Sequence, residues 1–159
     1  MPTKTYVSIS SVSLIASSAS VDFLSIPQNY RDLVLAISHP GPASATEVAI
    51  RFNSDSGNNY SRVYVEGRSE GLGTAFVATE SANFVGAYGT GQSVNICNIF
   101  DYSVVDKHKL VLTNATTLEG IKVVSNRWIN TSPVTSITAI LFNTSFGAGS
   151  TLTLYGIEA

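Results

Sequence analysis

Apolar and polar residues alternate along this chain with a period of two, in short runs that clusters of Gly, Pro, Asn, Asp and Ser cut off. Val48, Ile50 and Phe52 alternate with Ala49, Arg51 and Asn53, and Leu152 and Leu154 alternate with Thr151 and Thr153. Such a pattern puts one side of an extended segment against a core and the other against water. Runs of this kind, rich in Val, Ile, Tyr, Phe and Thr, cover residues 6–10, 12–16, 21–26, 33–38, 48–53, 62–66, 75–79, 95–102, 109–113, 121–126, 137–143 and 151–157. Turn clusters separate them at 39–42, 53–59, 67–73, 86–91, 114–117 and 147–150. No window repeats at 3.6 residues; only 26–31, after Pro27, has room for one helical or 3₁₀ turn. The pattern predicts an all-β, antiparallel β-sandwich, jelly-roll-like, of roughly ten short strands with no long helix.

A length of 159 residues suits a single domain over 1–159, with residues 1–20 an extended arm or edge strand. Size scaling gives a folded surface of about 7,600 Å², with close to 70% of the unfolded surface buried, so a core forms without disulfide or metal. Apolar residues at 44% and a formal charge of −2 favour collapse over disorder. The acidic balance, pI about 5.6, offers phosphate no basic stripe, so nucleic acid is excluded as a partner. Lys107 and Lys109, around His108, make the densest basic spot and read as a solvated turn. No stretch approaches the roughly 20 apolar residues that cross a bilayer, and Met1-Pro2-Thr3-Lys4 runs into an alternating stretch, not a signal core. Cys97 has no partner for an intrachain disulfide and reads as a buried, inert thiol in a strand.

Reagents for catalysis are scarce. His39 lies in a Pro-Gly loop, His108 lies between lysines, and no G-x-S-x-G occurs, so no nucleophile triad is visible. The carboxylates Asp22, Glu47, Glu66, Glu70, Glu80 and Glu119 read as solvated, and their spacing marks no acid–base pair. Asn53, Asp55, Gly57 and Asn59 resemble a calcium loop in their alternating oxygens, but no acidic residue closes it at the twelfth position. Side-chain caps and a glycine turn explain them better, as a structural hairpin loop between two strands. The glycines at 86, 89 and 91 lack the following helix that would hold phosphate. Chemistry, cofactor and metal are therefore not expected. Aromatics at strand ends and in loops are mostly core or interface residues; Tyr60, Tyr88 and Trp128 are the candidates for contact with a partner or a glycan. Asn-x-Ser/Thr sequons at Asn59, Asn114, Asn130 and Asn143 are what chance gives in so hydroxyl-rich a chain.

The segments ASSASVDFLSIPQNYRDLVL (16–35), VAIRFNSDSGNNYS (48–61), RWINTSPVTSI (127–137) and GSTLTLYGI (149–157) carry a resemblance. They are similar to a family of small virion proteins of tailed bacteriophages, often labelled tail-fibre or hypothetical structural proteins. The shared features fall on Phe23, Ile26, Pro27, Tyr30, Leu33 and Leu35; on Arg51, Asn53, Asp55, Gly57, Asn59 and Tyr60; on Trp128, Asn130 and Thr131; and on 154–157. Ser54 stands where similar proteins often carry Gly, and 67–91 matches nothing in the family pattern. The resemblance implies an externally displayed particle component, either capsid decoration or part of the tail and fibre apparatus, assembled in the host cytoplasm. It also implies a homo-oligomer, above all a trimer, in contact with the major capsid protein or tail proteins. The alternative is a carbohydrate-binding receptor-recognition module that meets a host-surface glycan.

Overall fold

Period-two runs become strands because alternate side chains need opposite environments, and here they pair antiparallel throughout. A computed structural model describes residues 5–41, 46–86 and 89–158. Its strands are β1 (Tyr6–Ser13), β2 (Ser20–Phe23), β3 (Asp32–His39), β4 (Val48–Phe52), β5 (Tyr60–Arg68), β6 (Gly71–Glu80), β7 (Asn83–Phe84), β8 (Ser93–Phe100), β9 (Lys109–Thr116), β10 (Gly120–Trp128), β11 (Ile137–Leu141) and β12 (Thr151–Ile157). That makes twelve strands, not about ten, and among the described residues there is no helix. The runs 6–10 and 12–16 fuse into the edge strand β1, whose register shifts between Ser8 and Ser10. Residues 26–31 form no helical turn, because their amides bond elsewhere: Ile26 N to Thr135 O at 3.0 Å and Arg31 N to Ile157 O at 2.8 Å.

The strands form an eight-stranded sheet, β1-β12-β3-β8-β9-β10-β5-β6, and a four-stranded sheet, β2-β11-β4-β7. Without the β5–β6 and β9–β10 hairpins, β1-β12-β3-β8 lie opposite β2-β11-β4-β7, and every successive connection changes sheet except β4 to β7. The core lies between these layers. Leu33, Leu35, Ile37, Cys97, Ile99, Leu152 and Leu154 from the long sheet meet Phe23, Val48, Ile50, Phe52, Ile137 and Ala139 from the short one. Each large aliphatic or aromatic side chain so buried contributes roughly 1.5–3 kcal/mol. Cys97 is buried as expected, and burial pushes its thiol up to about 12.

Four charged side chains expected in solvent, Glu47, Glu66, Glu80 and Lys109, are shielded or buried instead. The short sheet stops at β7, so the inner side of β5 and β10 lacks an apolar cover, and ionic side chains fill the gap. Arg62 binds Glu47 at 2.7 Å and Glu80 at 3.1 Å, Lys122 binds Glu47, and Arg62 lies 4.6 Å from the Phe84 ring centre. Glu47 and Glu80 are thus shielded pairs, not solvated carboxylates, and Glu66 is buried beside Arg68. Burial, together with nearby Glu47, holds the Glu80 carboxyl above its usual range, and burial draws the Lys122 amine down. Lys109, expected in a solvated turn, is buried too: its Nζ donates to the carbonyls of Val104, Lys107 and Thr131. Lys107 remains at the surface and pairs with Asp101 at 3.2 Å.

Candidate functional site: the outer face of the long sheet

The loop at 53–59 was the first expected site, and its geometry is structural. It passes from β4 in the short sheet to β5 in the long sheet, so it is a corner between layers, not a hairpin. Asn53 and Ser54 turn the chain with φ of 50° and 58°, a left-handed conformation that asparagine tolerates well. Asp55 Oδ1 accepts from Gly57 N at 2.9 Å, and its Oδ2 accepts from Trp128 Nε1 at 2.8 Å. Asn59 Nδ2 donates to both oxygens, at 3.1 and 3.0 Å. Asn53 Oδ1 accepts from Thr135 N and Ser136 N, while its Nδ2 donates to Pro133 O. One short loop therefore fastens β4 and β5 to the chain after β10. Burial raises the Asp55 carboxyl, but the bonds from Trp128, Gly57 and Asn59 outweigh it, and the group sits below its usual range.

Tyr60 and Trp128, expected as contact residues, are core residues. Their exposures are 0% and 1%. The rings stack at 6.4 Å, Trp128 meets Phe52 edge-on at 5.5 Å, and the Tyr60 hydroxyl donates to Asp55 O at 3.0 Å. Burial pushes the Tyr60 phenol up to about 12. A sugar ring cannot reach either side chain, because the closed corner covers them. Tyr88 lies outside the described residues. Among the described residues, no group of three or more His, Cys, Asp or Glu is placed to hold a metal ion. A hollow of about 390 Å³ at one end of the sheets is lined by Ser38, His39, Pro40, Ser93 and Leu118. Its imidazole is held below the usual histidine range by burial, and Nδ1 accepts from Gly41 N at 3.2 Å. Serine and threonine hydroxyls line that hollow, but among the described residues no carboxylate lines it beside the imidazole.

A different feature dominates the surface. On β8, β9, β10, β5 and β6 the side of the sheet turned away from the core is also apolar. Val94 and Ile96 stand out from β8, Leu110 and Leu112 from β9, and Ile121 and Val123 from β10. Val63 and Val65 continue the patch on β5, and Leu72 and Phe76 on β6. The register makes them neighbours: Val65 pairs with Val123, Val63 with Phe76, and Ile96 lies beside Asn114, which pairs with Val123. Between Val63, Val65, Val123 and Ser125 runs a shallow apolar groove of about 160 Å³. Other outward positions are Asn98, Asn114, Thr116, Ser125 and Thr74, and Arg127 is the charged one on these five strands, bonded to Ser61 Oγ at 3.2 Å. β1, β12 and β3 behave differently, with serines and threonines outward at Ser11, Thr151 and Thr153.

Antiparallel sheets ordinarily show water a polar side, and monomers rarely expose apolar patches above a few hundred Å². The sequence carries a sign of this face, since β9 contains Leu110-Val111-Leu112 and β10 holds Ile121 and Val123 around a buried Lys122. Strands apolar on both sides mark a sheet meant to be covered twice. Chemically the face offers flat, dry contact area, with amides and hydroxyls interspersed.

No family model matches the chain, and no curated protein matches it. Among solved structures, a crystal structure of a GH43 protein from Bacillus licheniformis aligns with 88% of this chain at 9% identity and a TM-score of 0.36. The chain spans about a third of that protein, 32% of its length. A likeness at this level says nothing of activity.

Proposed function

We propose that this chain is a structural component of a tailed-bacteriophage particle, an externally displayed β-sandwich module that works by protein–protein contact. It serves as capsid decoration or within the tail and fibre apparatus, against the major capsid protein or tail proteins. The observation that carries this reading is the apolar outer face of the long sheet, ten large hydrophobic side chains with a single charge among them. Apolar patches of that kind are rare on monomers and mark surfaces that a partner covers.

Three further points support it. The residues behind the virion-family resemblance, Asn53, Asp55, Tyr60 and Trp128, build a rigid joint and not a reaction centre. The strand order β1-β12-β3-β8 over β2-β11-β4-β7 fits a jelly roll with two added hairpins, an architecture that capsid proteins and lectins share. Shielded carboxylates and a buried thiol leave little surface chemistry, which suits a particle outside the cell. Glycan recognition loses two of its three candidates with the burial of Tyr60 and Trp128, and the third, Tyr88, lies outside the described residues. Mass spectrometry of gradient-purified particles tests the proposal: we expect the chain in stoichiometric amount, and its absence from particles that carry their other structural proteins would end it.

A further inference from the structure

We infer that the seam where the short sheet ends is an internal water site, in which at least one ordered water joins Asn83 on β7 to Asn126 on β10 and Glu80 at the end of β6. The inference concerns this buried seam alone and does not depend on the particle assignment.

Unmet bonding is the first argument. Asn83 is 0% exposed, yet among the described residues neither its Oδ1 nor its Nδ2 has a hydrogen-bond partner. Asn126, 1% exposed, donates from Nδ2 to Phe84 O at 3.2 Å, and its Oδ1 has no donor. Glu80 Oε1 lies 3.1 Å from Arg62 Nε, while its Oε2 is buried and has no donor either. Buried polar groups are nearly always bonded, to protein or to ordered water. These four atoms also share one place. Asn126 pairs with Arg62 across β10 and β5, Arg62 reaches Glu80, and the bond from Asn126 lands on the residue after Asn83. β7 packs directly on both β10 and β5.

Chemistry selects the ligand. The set holds three acceptors, Asn83 Oδ1, Asn126 Oδ1 and Glu80 Oε2, and one donor, Asn83 Nδ2. Water both donates and accepts, so it serves the two kinds together, and internal waters typically make about three such bonds. An ion of either sign is opposed by its surroundings: a cation would lie beside Arg62 and Lys122, an anion beside Glu47 and Glu80. Entry is open, because the side chains of Glu47 and Arg62 keep 12% exposure and that of Glu80 keeps 11%, so the seam reaches solvent at its rim. At about one internal water per 27 residues, a chain of 159 ordinarily holds about six, so one or two here ask for no unusual hydration. The water would tie the last strand of the short sheet to the long sheet at the point where apolar cover gives out.

Water–protein cross-relaxation NMR of the full chain tests this. The Asn83 amide protons should show cross-peaks to water with the sign pattern of a long-lived bound molecule, while the exposed Asn59 amide shows only that of surface hydration. Oxygen-17 relaxation dispersion then counts the long-lived waters: Asn83→Leu, close in volume, should lose at least one, with unchanged circular dichroism. Should Asn83→Leu not fold, a high-resolution crystal structure of the natural chain gives the second reading, with an ordered water expected within about 3.2 Å of the Asn83 amide. Three results overturn the inference. One is an Asn83 amide without a long-lived water signal, and another is an undiminished dispersion amplitude in folded Asn83→Leu. The third is electron density that shows Asn83 bonded directly to Asn126, or an ion in the seam.

Discussion

Replacing Asp55 with alanine attacks the joint on which the sandwich turns. In the natural protein its carboxylate accepts from Trp128 Nε1 at 2.8 Å, Gly57 N at 2.9 Å and Asn59 Nδ2 at 3.0 and 3.1 Å. Alanine leaves the buried indole N–H without a partner, which costs about 1–3 kcal/mol. The bonds to Gly57 and Asn59 are exposed and add about 0.5 kcal/mol each, below the usual mean. Together this comes to roughly 3 kcal/mol, or a melting temperature lower by about 6–12 °C for a chain of this size. Urea and thermal melts at pH 7 read the loss directly, and a double-mutant cycle with Trp128→Phe isolates the indole bond. Once the donor is gone, the cost of Asp55→Ala should shrink by about 1–2 kcal/mol. Acid gives a third reading. Because hydrogen bonds hold the folded carboxyl below its ordinary value of 3.8, its stabilisation is complete above that value and is lost as the pH falls through the lower, folded one. The gap between natural protein and Asp55→Asn should therefore narrow below about pH 4. Additive effects in the cycle, or a loss under about 0.5 kcal/mol, would refute the claim that Asp55 links the corner to β10.

Other expectations come from the buried groups. Glu47→Gln leaves Lys122 and Arg62 without their shared anion and should cost about 3–5 kcal/mol in urea unfolding, whereas Lys122→Met, which keeps the volume and leaves Glu47 paired to Arg62, should cost clearly less. Equal losses would mean that the cluster acts by packing alone. Cys97, fully buried with its thiol pushed up to about 12, should resist thiol reagents in the native chain and react only on unfolding, as timed labelling in rising urea would show.

Much of the fold was legible because strands announce themselves locally. Val48, Ile50, Phe52, Leu152 and Leu154 point inward as their alternation requires, and no helix forms among the described residues because no apolar stripe recurs every third or fourth position. What stayed hidden depends on distant partners. Two-residue β7 has no pattern of its own and exists through pairing with Ala49 and Ile50. Trp128 and Asp55 are 73 residues apart, so neither position reveals the bond that buries one beneath the other. Glu47 reads as a surface charge because its cage with Arg62 and Lys122 depends on where the short sheet ends, and Lys109 does so because the carbonyls that hold its amine come from two separate loops. The outer face was the largest omission: Ile121, Val123, Leu110 and Leu112 look like core residues in one dimension, and only the register shows them turned away from it.

The claim that protein covers this face is tested most directly by hydroxyl-radical footprinting of intact particles, with Ile15, 97% exposed and off the five strands, as the internal reference. Corrected for intrinsic reactivity, Phe76, Leu72 and Val123 should be oxidised far more slowly than Ile15. Oxidation of Phe76 at the rate that its exposure in the isolated chain implies would contradict it.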